Sequence, residues 1–354
     1  MLKVGIAGIG FMGWIHWLAY QQIADVEVVA ICEQDPVRLL GDWTAIQGNF
    51  GPPGEKVDLS QVATFSDLGE FCEADFDLVD ICLPPSLHSN AISVAARAGK
   101  QVFCEKPLSL TVKQCCEAVE ICSQNERMLM VGQVLPFFAE YDYALNAIKS
   151  REYGELLGCK LKRLISDPTW LPNFYDPQKI GGPLFDLHVH DAHFLRLIAG
   201  MPTSVYSQGR CRGEVVSYCE SIFQFDDQPI CATATSGIIE QQGRPFSHGF
   251  EIHLEKATLH FEYAALSDGE QSMPLKAIRE DGTVELVELG NTEPLNAFNN
   301  EIAAVVDAVR TGKPSEILNG DLARDAIAIC HAQSKSVHEN RKVTIDEILK
   351  DSKS

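Results

Sequence analysis

The sequence predicts an α/β protein that opens with a doubly wound parallel sheet, and two observations carry that expectation. Apolar strand-like runs alternate with helical segments throughout residues 1–133, and a G-x-G-x-x-G turn joins the first strand to the first helix. Repeated βα units need crossover connections, which produce a parallel sheet with its ligands at the carboxyl ends of the strands.

The first strand is KVGIAG, followed by the turn Gly8-Ile9-Gly10-Phe11-Met12-Gly13 and the helical segment WIHWLAYQQIA. Gly8 permits the tight turn, Gly10 lets the backbone approach a pyrophosphate, and Gly13 lets helix and strand pack closely. The helix N-terminus supplies N–H groups and partial positive charge for phosphates. The second strand, VEVVAIC, ends at Glu33, about 20 residues on, where a carboxylate accepts hydrogen bonds from ribose hydroxyls. The glycines could serve a turn alone; with Glu33 they form a dinucleotide fingerprint. A carboxylate there repels a 2′-phosphate and no arginine follows immediately, so NAD is expected over NADP, with Arg38 leaving the choice open. The alternation continues through FDLVDICLPP, HSNAISVAARAG, KQVFCEKP, TVKQCCEAVEICSQN and RMLMVGQVL. Pro84, Pro85, Glu105, Lys106 and Gln133 therefore fall at strand ends.

Length allows two domains with substantial cores. The 354 residues carry a formal charge of −20, and no basic cluster is available for a phosphate backbone, so nucleic acid is not an expected partner. Twelve cysteines include no C-x-x-C pair; Cys115 and Cys116 are adjacent, and Cys32, Cys82 and Cys104 lie in apolar runs. Reduced thiols in a cytoplasmic protein are the expected reading. The run from Val4 to Ala24 lacks charge, but its four glycines and His16 do not suit a signal peptide or membrane span.

In the stretch GGPLFDLHVHDAH, residues 181–193, proline suits a first helical turn, Asp186 the positive end, and Gly200 the far cap. On a regular helix Asp186, His190 and His193 share a stripe, whereas His188 lies about 200° around from His190. The two histidines of H-x-H then cannot grip one ion, and no metal is expected. A histidine that titrates near neutrality and is oriented by a carboxylate suits proton transfer. The structural alternative is a capping Asp186 and a core His190.

In order along the chain, GIAGIGFMG, PPSLHSNAISVAARAGKQVFCEKPLSLT and GGPLFDLHVHDAHFLRLIAG resemble the Gfo/Idh/MocA family, with Glu105-Lys106-Pro107 the most specific match. The resemblance covers nearly the whole chain. It implies three segments: an NAD-binding domain over 1–133, a substrate and oligomerisation domain over 134–319, and a C-terminal helix and tail over 320–354 that packs back near the first domain. The second domain is expected to hold a large, mostly antiparallel open sheet, and LGCKLKRLIS, SVYSQGR, VSYCESIFQF, PICATATSGII, GFEIHLEK, ATLHFEY and LKAIRED supply its strands. AFNNEIAAVVDAVRTG and DLARDAIAICHAQSKSVHEN read as helices.

The resemblance further implies hydride transfer between nicotinamide and a sugar, polyol or cyclitol hydroxyl. Lys106 would polarise the reacting oxygen across the cleft from His190, the proton acceptor, with Asp186 beside it. Gly8, Gly10, Phe11, Met12, Gly13, Glu33, Leu83, Pro84, His88, Glu105 and Lys106 would hold the cofactor. Lys106, Trp170, Tyr175, Asp186 and His190 would meet the substrate, with Asn173 on the same loop. A homodimer or homotetramer is expected, and neither a membrane nor nucleic acid. Three positions depart from the family pattern: Pro136 stands where relatives often have arginine, Leu83-Pro84-Pro85 where many have Thr-Pro-Asn, and His193 where the helix often has aspartate. Two alternatives remain open: hydrolysis, elimination or epimerisation through transient oxidation by a retained NAD, and a non-catalytic dinucleotide and sugar sensor.

Overall fold

A computed structural model describes residues 1–226 and 229–352, which divide into two compact units. The first contains residues 1–109, 113–138 and 292–323, and the second contains 110–112, 139–291 and 324–354. The sequence reading cuts the chain differently. It ends the first domain at 133 and assigns the helix Pro294–Thr311 to the second, whereas that helix lies in the first unit. Most of the tail, 324–354, belongs to the second unit. Sequence order alone cannot reveal either return of the chain.

In the first unit the strands are β1 (Leu2–Ala7), β2 (Val26–Cys32), β3 (Ala63–Phe65), β4 (Leu78–Ile81), β5 (Gln101–Glu105) and β6 (Leu129–Gly132). They form a sheet of six among the described residues, in the order β3-β2-β1-β4-β5-β6, with every pairing parallel. The strand order reverses between β1 and β4, the point at which such sheets open a crevice for ligands. The helices between them are α1 (Phe11–Tyr20), α2 (Pro36–Leu39), α3 (Leu68–Glu73), α4 (Pro85–Arg97) and α5 (Val112–Gln124). Val4, Ile6, Ile31, Leu78 and Phe103 are buried from the sheet, and Ile302 and Val305 of the later helix join the same core.

In the second unit come α6 (Ala139–Ser150), β7 (Leu156–Ser166), α7 (Val189–Ala199), β8 (Ser204–Arg212), β9 (Val215–Gln224), β10 (Cys231–Ile239), β11 (Phe246–Leu254), β12 (Ala257–Leu266), β13 (Gly269–Arg279) and β14 (Val284–Leu286). The chain continues with α8 (Pro294–Thr311, placed above), α9 (Gly320–Glu339), β15 (Val343–Thr344) and α10 (Ile345–Asp351). The sheet has nine strands among the described residues, in the order β14-β13-β12-β11-β7-β10-β9-β8-β15. Only β7 and β10 pair in parallel there; the remaining pairings are antiparallel, as expected. β7 sets the pattern: Lys160 is exposed, Lys162 half-buried, and Arg163 points to the buried face. No described helix is long and apolar enough to cross a membrane.

Candidate active site

The phosphate loop follows the expected logic. Gly8 has φ +95°, and a Cβ on Gly13 would lie 2.1 Å from the Gly8 carbonyl oxygen, so both positions exclude side chains. No side chain caps α1 at Gly10, and a Cβ there would meet nothing within 4 Å. The helix start therefore offers its N–H groups to a pyrophosphate across open space. Phe11 contributes backbone to this loop, because its ring packs edge-on against Phe50 at 4.9 Å. Met12 is half-buried beside it.

Glu33 holds the loop. Its Oε2 accepts the Ile9 N–H at 2.9 Å, and its Oε1 accepts those of Gln34 at 2.7 Å and Asp35 at 3.1 Å. Arg38 lies 3.5 Å from the same carboxylate. The residues present fit a dinucleotide: glycine-loop N–H groups for the phosphates, and the remaining Glu33 lone pairs for ribose hydroxyls.

Pro84 caps α4, and Leu83 precedes it. His88 is wholly buried, with one ring nitrogen 2.8 Å from the Leu83 carbonyl and the other 2.9 Å from the Pro107 carbonyl. It braces the two segments flanking the site. Burial lowers its pKa, although both carbonyls act in the opposite direction. Glu105 ends β5, and its Oε2 accepts the Lys106 backbone N–H at 3.0 Å. The Lys106 peptide is thus fixed from both sides, by Glu105 before it and by Pro107 and His88 after it.

In the second unit, Gly181 and Gly182, with φ of +79° and +73°, turn the chain into the 181–193 stretch. A regular helix is expected there, but Leu184–His188 form a π turn before α7 begins. A π turn carries one extra residue per turn, and such turns often mark functional sites. Leu184, Phe185 and His188 face inward, leaving Asp186 and His190 half-buried. His193 is wholly buried, while Asp186 and His190 are half-buried.

Behind α7 lies a charge pair that sequence reasoning missed. Asp191 accepts from Arg163 Nε at 2.7 Å and from its second guanidinium nitrogen at 3.1 Å, and both side chains are buried. His188 Nδ1 lies 3.8 Å from Asp191. Burial lowers the His188 pKa despite that carboxylate. This pair anchors the helix that carries His190.

The loop residues take unequal positions. Trp170 is 62% exposed. The Tyr175 hydroxyl donates to Asp167 at 2.7 Å, and its ring lies 4.7 Å beneath the Arg212 guanidinium, which also binds Asp167 at 2.6 Å. Asp167, Asn173 and Tyr175 line a shallow depression of about 600 Å³.

Residues 2–133 match the family model described as an oxidoreductase family with an NAD-binding Rossmann fold, and residues 141–260 match the GFO/IDH/MocA C-terminal domain. The chain belongs to the Gfo/Idh/MocA oxidoreductase family. An inositol 2-dehydrogenase of Rhizobium meliloti (strain 1021) is 26% identical over 357 residues, covering 97% of this chain and 99% of the relative. A 2,7-anhydro-N-acetylneuraminate hydratase of Escherichia coli (strain K12) is 24% identical over 385 residues, covering 99% of each. An oxidoreductase from Agrobacterium radiobacter, solved with NAD+, L-tartaric acid and magnesium, shares the fold with a TM-score of 0.74 at 16% identity, over 98% of this chain and 99% of that one. The first unit thus contains the NAD-binding Rossmann fold of the family, over residues 2–133.

Proposed function

We propose that this family member is an NAD-dependent dehydrogenase acting on a hydroxyl-bearing carbon of a sugar, polyol or cyclitol. The observation that carries the reading is Lys106, whose backbone N–H Glu105 holds at 3.0 Å after β5, on the same carboxyl edge as the phosphate loop. Bound NAD supplies the hydride acceptor. His190 takes the hydroxyl proton as the carbon–oxygen double bond forms, and Lys106 stabilises negative charge developing on that oxygen. Asp186 orients His190 or holds a substrate hydroxyl, and Trp170 and Tyr175 offer aromatic surface to the sugar. Glu33 favours NAD over NADP, since a 2′-phosphate would meet its carboxylate.

Lys106→Ala and His190→Ala should each lower turnover by roughly 10²–10⁴-fold with NAD affinity preserved. Full activity in either variant on the turned-over substrate would remove that residue from the mechanism. Thermal shifts with NAD and NADP, read against the dependence of stability on ligand concentration, test the cofactor preference.

A second reading draws support from relatives named as hydratases: transient oxidation by a retained NAD, with the hydride returned after elimination or water addition. NAD that survives gel filtration, together with turnover lacking net NADH, would replace the dehydrogenase reading by this one. Exposed Leu157, Ile222 and Ile278 on strands of the second sheet support a homodimer or homotetramer, which light scattering tests. Twelve free thiols fit a cytoplasmic location.

A further inference from the structure

We propose that His16 is a positioning residue for Lys106, acting as a buried cation shared by Asp80 and Glu105. The inference rests on the dehydrogenase reading above for its link to turnover. The geometry lies wholly within the first unit. His16 sits on the inward face of α1, three residues after the last glycine of the phosphate loop. Its Nδ1 is 2.9 Å from Asp80 Oδ2, and its Nε2 is 3.1 Å from Glu105 Oε1, with His16 and Asp80 shut off from solvent and Glu105 nearly so. A neutral ring carries one N–H and would turn a lone pair toward one of the two carboxylates; a cationic ring suits both.

The surroundings agree. Cys82 Sγ approaches the same Nδ1 at 3.3 Å, Tyr20 lies one turn along α1, and Glu301 of α8 adds another buried carboxyl. Phe103 stacks on the ring at 5.5 Å. Burial alone would strip the proton from His16, but Asp80 and Cys82 outweigh it and hold the pKa well above the ordinary value. His16, Asp80 and Cys82 also have the composition of a metal-ligand set. The 2.9 Å between Nδ1 and Oδ2 is a hydrogen-bond distance, shorter than tetrahedral ligands at about 2.0–2.1 Å from a shared zinc can adopt.

Glu105 transmits the effect. One of its oxygens faces His16 and the other accepts the Lys106 N–H. On β6, Gly132 pairs with Glu105, and a Cβ there would come within 3.0 Å of Oε1, so the carboxylate fills its slot. Without the cation, Glu105 faces Asp80 with nothing to offset their charge, and the Lys106 peptide loses its anchor.

The test uses the full-length protein. His16→Gln should lower kcat by roughly 10²-fold, the scale expected when a reacting group is displaced by about 1 Å, and should shift the pH profile of kcat while NAD affinity stays near wild type. Phe103→Leu, which loosens the same pocket without removing charge, should retain both kcat and the pH profile. Nitrogen NMR of labelled histidine should show both His16 ring nitrogens protonated from about pH 6 to about pH 8, where an ordinary histidine titrates. A His16→Gln enzyme with unchanged kcat and pH profile, or a Phe103→Leu enzyme with the same defects, overturns the proposal. If the wild type transfers no hydride to or from any sugar or polyol, the dehydrogenase reading fails; a neutral His16 at pH 7 then overturns the shared cation independently.

Discussion

Each unit buries charge behind a candidate catalytic residue, and the two solve the electrostatic problem differently. Behind His190, Arg163 and Asp191 form a matched, doubly hydrogen-bonded pair, and the neighbouring histidines are pushed toward neutrality: burial lowers His188 and lowers His248 well below its ordinary value. Behind Lys106, the carboxyl groups of Asp80, Glu105 and Glu301 outnumber the one histidine among them. Asp80 and Cys82 raise the His16 pKa well above its ordinary value against burial, and burial together with Glu105 raises Glu301 well above the ordinary carboxyl value. A matched pair is intolerant of losing a partner; an acid-rich cluster adjusts by moving protons.

The largest expected effect breaks the matched pair. Asp191→Ala leaves the Arg163 guanidinium buried without its counter-charge, which should cost about 3–5 kcal/mol. Asp80→Asn in the acid-rich cluster removes one of several negative charges and keeps an acceptor for His16, so about 1–2 kcal/mol is expected. Denaturant titration of both variants checks the contrast. Equal losses would mean that the two clusters do not differ in this way.

A pH series sharpens the comparison. His188, His248 and His331 of the second unit have lowered folded pKa values, so their contribution is complete above the unfolded value near 6.5 and falls as pH drops below it. The first unit has one such histidine, His88. His16 has a raised folded pKa, so its contribution is complete below about 6.5 and falls as pH rises toward the folded value. Trp14, Trp17 and Trp43 are buried in the first unit, while the remaining tryptophan, Trp170, is exposed in the second. Tryptophan fluorescence therefore follows the first unit, and far-UV circular dichroism follows both. Below about pH 6 the dichroism transition should precede the fluorescence transition, and above about pH 8 the order should reverse. Coincident transitions at both extremes would remove the asymmetry.

Local signals made the Rossmann unit legible. Alternating strands and helices, the glycine loop and Glu33 each act within a few residues, and so does the E-K-P strand end. The polar clusters draw on residues far apart in the chain, yet traces of them were present. Asp80 is a charge inside LVDI, a strand buried along its whole length. Arg163 falls out of step with Lys160 and Lys162, the sign of a side chain on the opposite face of β7. The π turn left no trace, because Asp186 and His190 suit a regular helix equally well. Nor could the placement of Pro294–Thr311 be read, since an amphipathic stripe does not name the core it joins.

The smallest expected effect tests the proton-loaded cluster most directly. Glu301 is wholly buried, and its pKa is raised well above the ordinary value by burial first and then by Glu105, with His16 acting in the opposite direction. If the carboxyl is protonated in the folded protein, glutamine matches it in size and charge, and Glu301→Gln should change stability by no more than about 1 kcal/mol below about pH 4.5, where the unfolded carboxyl is protonated too. The informative readout is the slope. A raised folded pKa gives a contribution complete below about 4.5 that is lost as pH rises through the folded value, and the variant cannot lose it. Glu301→Gln should therefore lie closest to wild type in acid, and it should gain on wild type as pH rises from about 4.5 toward the folded value, where the gain levels off. A large loss at pH 7 with the wild-type slope retained would show that Glu301 is already ionised and paired, and the first unit's cluster would then resemble the matched pair of the second.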